Sequence, residues 1–169
     1  MIDYVPLQVK KRKGNFFYLP CDTGFFNDFA IHFIKSVKIY ANKISVHVHI
    51  FDATDQDIEW CNKNKISLTT EITPESYKTL DDKKGYWVNC RFLRVPEIFH
   101  DSANIMAVDP DGMLIADISL EEWSADLSND WVAMRVKGVG ALGGCVAFAG
   151  NKLGRYYLKD KILELAKQQ

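Results

Sequence analysis

The stretch "GNFFYLPCDTGFFNDFAIHFIKSVKIYANKISVHVHIFD", residues 14–52, changes its hydrophobic period twice. Residues 14–21 form an apolar run that stops at Asp22-Thr23-Gly24, as a short buried strand would. Phe26, Phe29, Phe33, Val37 and Tyr40 then recur every three or four residues, which predicts a helix with one apolar face that Asn42 ends. "KISVHVHIFDA" is rich in β-branched residues and alternates, so it reads as a second strand closing at Asp52.

The alternation continues outward. "TDQDIEWCNKNK" reads as a helix with Thr54 as N-cap and Asp57 in the capping-box position, and "ISLTTEI" as a third strand. Thr73-Pro74-Glu75 is expected to open a short helix through "ESYKTL". "YWVNCRFLRVPEIF" is expected to be helical up to a break at Pro96. "NIMAV" is a strand, "DPDG" a turn, and "MLIADISL" extended or a short helix. "DWVAMRV" is another strand. Gly138, Gly140, Gly143 and Gly144 form a flexible stretch into the strand "CVAFAG", and a terminal amphipathic helix follows, capped by Asn151. Strands alternating with helices predict an α/β fold: a three-layer α-β-α sandwich around a mostly parallel sheet. No repeat, low-complexity tract or linker interrupts residues 1–169, so they are expected to form a single domain.

Composition narrows the class. The 169 residues are 47% hydrophobic and 12% aromatic, enough for a real core and against disorder. With 21 basic and 22 acidic residues there is no overall pull towards nucleic acid or an anionic membrane. The run Lys10-Lys11-Arg12-Lys13 before a glycine reads as a solvated turn. Cys21, Cys61, Cys90 and Cys145 lie far apart without a C-x-x-C, so they are expected to be reduced core thiols. No signal-peptide pattern and no span of roughly 20 apolar residues is present, so the expectation is a soluble, cytoplasmic protein.

In open parallel sheets ligands collect beyond the carboxyl ends of the strands. Asp22, Asp52 and the pair Asp109/Asp111 all stand at such ends. Two carboxylates on a turn stiffened by Pro110 can hold a hard cation such as Mn²⁺ or Mg²⁺, whose open positions suit a diphosphate. They can equally be the turn that closes a strand. Asp55-Gln56-Asp57 has the same spacing but sits at a helix start, where acids complement the dipole. His47 and His49 share one strand face with no third ligand nearby, so they read as packed, hydrogen-bonded side chains rather than a zinc pair. "GVGALGG" lacks the Gly-Lys-Ser/Thr of a phosphate loop, so its glycines suggest close backbone approach instead. Arg91 and Arg94 lie in an apolar helix and need acidic or phosphate partners.

Taken in order, these segments resemble the GT-A-type nucleotide-diphospho-sugar transferases, most of all the retaining family of glycogenin and the bacterial lipopolysaccharide galactosyltransferases. "CDTGFF" is similar to that family's D-x-x-Y turn, with Phe25 in place of the tyrosine. "YWVNCRFLRVPEIFHDSANIMAVDPDGMLIADIS" resembles the stretch from its helical arginine to its L-D-x-D metal site. "ALGGCVAFAGNKLGRYYL" resembles its N-A-G strand and following helix, with Leu142 replacing the asparagine. The likeness runs collinearly over roughly residues 14 to 160, and the family usually continues further, with a histidine metal ligand and acceptor contacts.

The resemblance implies that Asp109 and Asp111 bind Mn²⁺ or Mg²⁺ on the donor diphosphate, and that Asp22 and Phe25, with Cys21, hold the nucleobase. Arg91, with Pro110, would face the donor sugar or phosphate, and Gly143 and Gly144 would line the sugar pocket. Arg91, Asp109 and Asp111 would then carry the catalysis. The implied function is a metal-dependent transferase moving a sugar from a nucleotide sugar, expected to be a UDP-sugar, to a hydroxyl acceptor, with a homo-oligomer one possible assembly. Two alternatives stand beside it. One is a non-catalytic nucleotide-sugar-binding or interaction protein that keeps the fold. The other, a sugar-nucleotidyltransferase, would need a Gly-rich basic signature after the first strand, which "CDTGFF" lacks.

Overall fold

A computed structural model describes residues 5–117, 119, 131–135, 142–148 and 153–166. In chain order the elements are β1 (Asn15–Asp22), α1 (Thr23–Phe25), a π-helical segment (Phe26–Ala30), α2 (Ile31–Tyr40), β2 (Ser45–Phe51), α3 (Asp55–Lys63), β3 (Ser67–Glu71), α4 (Leu80–Ile98), β4 (Asn104–Ala107), β5 (Trp131–Arg135), β6 (Leu142–Phe148) and α5 (Leu153–Ala166). The sheet order is β3-β2-β1-β4-β6-β5. β1 pairs in parallel with β2 and β4, and β2 with β3. β6 runs antiparallel to both β4 and β5, so it alone opposes the other five. The mostly parallel α/β sheet is therefore as the sequence predicts.

Burial on both faces explains the apolar density of the central strands. On one face Phe17, Leu19, Val46, Val48 and Ile50 pack against Phe26, Phe33, Ile34 and Val37, with Cys61 of α3 beside them. On the other, Phe16, Tyr18, Ile105 and Ala107 meet Val95, Ile98 and Phe99 from the end of α4. Phe51 packs with Tyr86, Cys90 and Leu93, and Ile162 and Leu163 of α5 lie against them. Helices on both faces complete the three layers.

Several local expectations need correction. The stretch 74–79 holds no helix; Thr79 instead caps α4, and Thr79 and Asp82 form a reciprocal capping box. Pro96 does not end that helix, which continues to Ile98. A proline there removes one backbone bond and costs about 3 kcal/mol. Burial of Leu93, Val95, Ile98 and Phe99 around it offsets that cost. Phe29 does not join the buried face. The Ile31 N–H donates five residues back, to Phe26 O, and the extra residue turns Phe29 outwards, where it is 41% exposed. Residues 112–117 are irregular rather than strand or helix. The last strand begins at Leu142, so Gly143 and Gly144 lie within β6 and not in a loop. Asn151, Gly138 and Gly140 lie outside the described residues.

One connected network centres on the buried Arg94. Arg94 donates from Nε to Glu71 Oε2 at 2.7 Å and from Nη2 to Oε1 at 2.5 Å. Its Nη1 reaches Glu97 Oε2 at 2.9 Å, and Lys159 of α5 reaches Glu97 Oε1 at 2.9 Å. Tyr86 Oη also donates to Glu71, and His49 Nε2 lies 3.1 Å from it. His47 and His49 bond Ser67 and Thr69 across the β2–β3 pair, which is the packed role expected for them. Burial alone would raise the Glu71 carboxyl, but hydrogen bonds from His49, Arg94 and Tyr86 outweigh it and pull it down to about 2. Burial lowers both histidines, His47 well below the usual imidazole range.

Two outcomes follow. Arg94→Ala strands a buried carboxylate and should cost about 3–5 kcal/mol in denaturant unfolding, whereas a loss below 1 kcal/mol would contradict the network. With both histidines lowered, the unfolded chain binds more protons below its own imidazole pKa, so stability falls as pH drops below about 6.5. Glu71 adds a second loss from about 4.5 downwards, because its folded value is depressed. Melting curves from pH 7.5 to 4 should show both losses, and His49→Gln should flatten the first.

Candidate functional site

Parallel strands bring their carboxyl ends to one edge, and the chain reverses its direction of travel across the sheet between β1 and β4. There a cleft of about 380 Å³ opens, lined by the end of β1 and its turn, one stripe of α4, and the segment after β4. From the first come Pro20, Cys21, Asp22 and Phe25; from the last, Asp109 and Pro110. The α4 stripe is Lys84, Trp87, Val88 and Arg91, at the i, i+3, i+4, i+7 spacing of one helix face.

The β1 turn is tightly built. Asp22 Oδ1 accepts from Gly24 N at 2.8 Å and from Phe25 N at 3.2 Å. A Cβ at Gly24 would stand 3.1 Å from that oxygen, a tight contact that a glycine avoids. The turn is held from beneath by Asp57. Its carboxylate accepts from Thr23 Oγ1 at 2.5 Å, Asn27 Nδ2 at 2.9 Å and Thr54 N at 2.9 Å. Burial would raise this carboxyl, but the bonds from Thr23, Thr54 and Asn27 leave it lowered. Asp57 is thus the capping residue the sequence predicts, and it also fastens α3 to the β1 turn. Phe25 is 43% exposed and packs on Phe29 with ring centroids 5.2 Å apart.

On the far wall, Arg91 Nη1 donates to Asp109 Oδ1 at 2.6 Å. Arg91 Nε is buried with no hydrogen-bond partner, and Asp109 Oδ2 carries no contact among the described residues. Trp87 is held at its ring nitrogen and lies near-parallel to Phe51, with ring centroids 6.2 Å apart. Its Nε1 donates to Thr73 Oγ1 at 2.8 Å, and Thr73 donates to Asp52 Oδ2 at 2.8 Å. Lys83 lies 3.7 Å from the same carboxylate.

Cys21, Asp22, Phe25, Arg91, Asp109 and Pro110 are therefore brought together in one cleft. Asp111 is exposed and is not part of the lining. The β4–β6 pairing ends at Ala107 opposite Val146, and Gly143 and Gly144 are not among the described residues lining the cleft. Asp52 does not belong to the cleft; it adopts φ 54° and serves Thr73 and Lys83. Sequence reading missed Lys84, Trp87 and Val88. The Thr79-x-x-Asp82 signal, read as a helix start, would have put all three in register with Arg91. The oxygen donors Asp109 and Asp111 suit Mn²⁺ or Mg²⁺ chemically. Among the described residues, no cluster of three or more histidine, cysteine or acidic side chains could hold a metal by itself.

Comparison with known proteins bears on the fold. No protein-family model and no curated protein matches the sequence. Two crystal structures of the glycosyltransferase GlyE from Streptococcus pneumoniae TIGR4 do match. The apo form has a TM-score of 0.64 at 13% identity, over 94% of this chain and 39% of that one. The second has a TM-score of 0.60 at 16% identity, over 92% and 39%. A mannosyltransferase from Pyrobaculum calidifontis, solved with GDP-Man and Mn²⁺, is a weaker likeness at TM-score 0.44, 12% identity, 88% of this chain and 47% of that one. The chain thus spans 39% of the length of the GlyE structures it matches. Its fold is that of these glycosyltransferase structures, in keeping with the fold the sequence resemblance implies. Among the described residues no helix is long and apolar enough to cross a membrane.

If Asp57 fastens the β1 turn, Asp57→Ala should cost about 1–3 kcal/mol and speed amide exchange at Gly24 and Phe25. Unchanged exchange at those two amides would contradict this role.

Proposed function

We propose that the protein binds a nucleotide-diphosphate sugar, with UDP the nucleotide, in the cleft between β1, α4 and β4 and transfers the sugar to a hydroxyl acceptor. The observation that carries this reading is the division of labour inside one cleft. An aromatic ring and a free carboxylate oxygen, from Phe25 and Asp22, stand at the end of β1. Two cations, Lys84 and Arg91, stand with Asp109 on the far wall. Phe25 would stack on the base while Asp22 Oδ2 accepts from it. Lys84 and Arg91 would meet the diphosphate, and the unpartnered Arg91 Nε gives that guanidinium a donor to spare.

Asp109 and Asp111 would hold Mn²⁺ or Mg²⁺ through oxygen, with Asp109 Oδ2 the open atom. A bound divalent cation supplies charge neutralisation to a departing diphosphate. Arg91 then stabilises the same charge from within the chain, since the electron pair of the broken sugar–oxygen bond ends on the diphosphate. Gly143 and Gly144 in β6 would give the sugar close access to the backbone.

A second reading is favoured by one contact. At 2.6 Å the Arg91 guanidinium already occupies the Asp109 carboxylate, as a cation would. In that reading the cleft binds a nucleoside diphosphate without metal and without turnover.

Calorimetric titration of UDP with and without Mn²⁺ separates the two, on wild type, Asp109→Asn/Asp111→Asn and Phe25→Ala. Transfer predicts that Mn²⁺ tightens binding at least tenfold, that the double variant loses this gain, and that UDP-sugar is slowly hydrolysed. Phe25→Ala should weaken binding by about 1–2 kcal/mol through lost stacking. Metal-indifferent binding without hydrolysis supports the second reading, and no UDP binding in either condition refutes both.

A further inference from the structure

The opposite edge of the sheet carries a second, larger cleft of about 700 Å³, where β1, β2 and β3 begin. Six cations line it from three separate segments: Lys10, Lys11, Arg12 and Lys13 before β1, Lys38 in the last turn of α2, and Lys65 after α3. Among the described residues no carboxylate lines it, although acids and bases are nearly equal in the chain. Among the described residues none of the six makes an ion pair; Lys11 alone is engaged, through a 3.4 Å bond to Tyr156 Oη.

The basic run is exposed, as a solvated turn would be, but it is not a loose arm. Arg12 N donates to Ile98 O at 2.8 Å, and His100 N donates to Arg12 O at 2.7 Å, so the segment is fastened beside the end of α4. Helix dipoles explain only part of the charge. Each helix C-terminus carries about half a negative charge, which accounts for cations near the ends of α2 and α3 but not for the four before β1.

The lining also says what kind of anion fits. Its apolar members other than the partly buried Ile66 are buried, Ile34 at 0% and Val37 at 2% exposure, so they offer a ligand little apolar surface. Among the described residues its one aromatic member is Phe16, only 7% exposed, so no open ring offers the stacking platform a nucleic-acid strand would use. Five of the six cations are lysines, compact charges that suit phosphate oxygens in many orientations. We propose that this cleft is a second anion site, separate from the nucleotide-sugar cleft, which takes a compact ligand bearing two or more clustered phosphates. The source is either a soluble polyphosphorylated molecule or a phosphorylated lipid headgroup.

The probe is inorganic tripolyphosphate, titrated calorimetrically with chelator present, into wild type, Lys10→Gln/Lys13→Gln/Lys38→Gln, and Lys84→Gln/Arg91→Gln. All three lysines of the first variant are exposed, so it should fold as wild type, which circular dichroism checks. Expected are sub-millimolar binding to wild type, at least a tenfold loss in the lysine variant and no loss in the Lys84/Arg91 variant. Monophosphate should bind at least tenfold more weakly, and added salt should weaken both. Vesicles containing a bisphosphorylated inositol lipid distinguish the source: retention that the lysine variant loses assigns a headgroup, and tripolyphosphate binding without retention assigns a soluble ligand. No tripolyphosphate binding, binding that survives the lysine changes, or binding lost only in the Lys84/Arg91 variant would each overturn the proposal.

Discussion

The two-pronged contact of Arg94 with Glu71 is the constraint on which the cleft depends. It joins the middle of α4 to the end of β3, and Glu97 and Lys159 extend it to α5. A buried ion pair adds little net stability compared with well-packed apolar side chains, but it cannot be satisfied in more than one geometry. That fixes the rotation of α4 about its own axis. With Tyr86, Cys90, Leu93 and Arg94 turned inward, the stripe of Lys84, Trp87, Val88 and Arg91 has only the crevice beyond β1 and β4 to face. The helix that closes the core on one side is thereby the wall of the site on the other.

A second tie works at the facing wall. Asp57 caps α3 and holds Thr23 and Asn27, so the β1 turn cannot shift without breaking a helix cap. The Asp52–Thr73–Trp87 chain does the same for the indole. Both carboxylates support the cleft without lining it, and Asp22 and Asp109 are left as its two acidic members. The rigid scaffold and the half-satisfied Arg91 are complementary features. Polar groups that the fold leaves without partners in a cleft are the ones a polar ligand can use.

Much of this was legible in the sequence because it rests on periodicity. The β1–α2–β2–α3–β3 alternation follows from apolar runs and β-branched residues, and Thr54 with Asp57 announces its helix start. Asp22 and Asp109 come together because parallel pairing aligns strand ends, whereas Cys21, Phe25, Arg91 and Pro110 were set beside them by the family resemblance and not by periodicity. What was not legible lies in tertiary context. Nothing in an alternating pattern says that β6 runs against its neighbours. Pro96 looks like a helix stop because propensity is local, whereas the burial that overrides it comes from β1 and β4. The π-helical turn that exposes Phe29 adds one residue to a helix without changing its composition. Asp52 shares its strand-end position with Asp22 and Asp109, and only its bonds to Thr73 show that it is structural.

The central claim is that the β1–α4–β4 cleft holds a nucleoside diphosphate with a divalent cation at its acidic end. Diffraction from crystals grown with UDP and Mn²⁺, recorded on both sides of the manganese absorption edge, tests it most directly. The account predicts an anomalous peak within coordination distance of Asp109 and Asp111, with the uracil ring against Phe25. Nucleotide bound only among the lysines at the opposite edge of the sheet, or an empty cleft at saturating UDP, would contradict it.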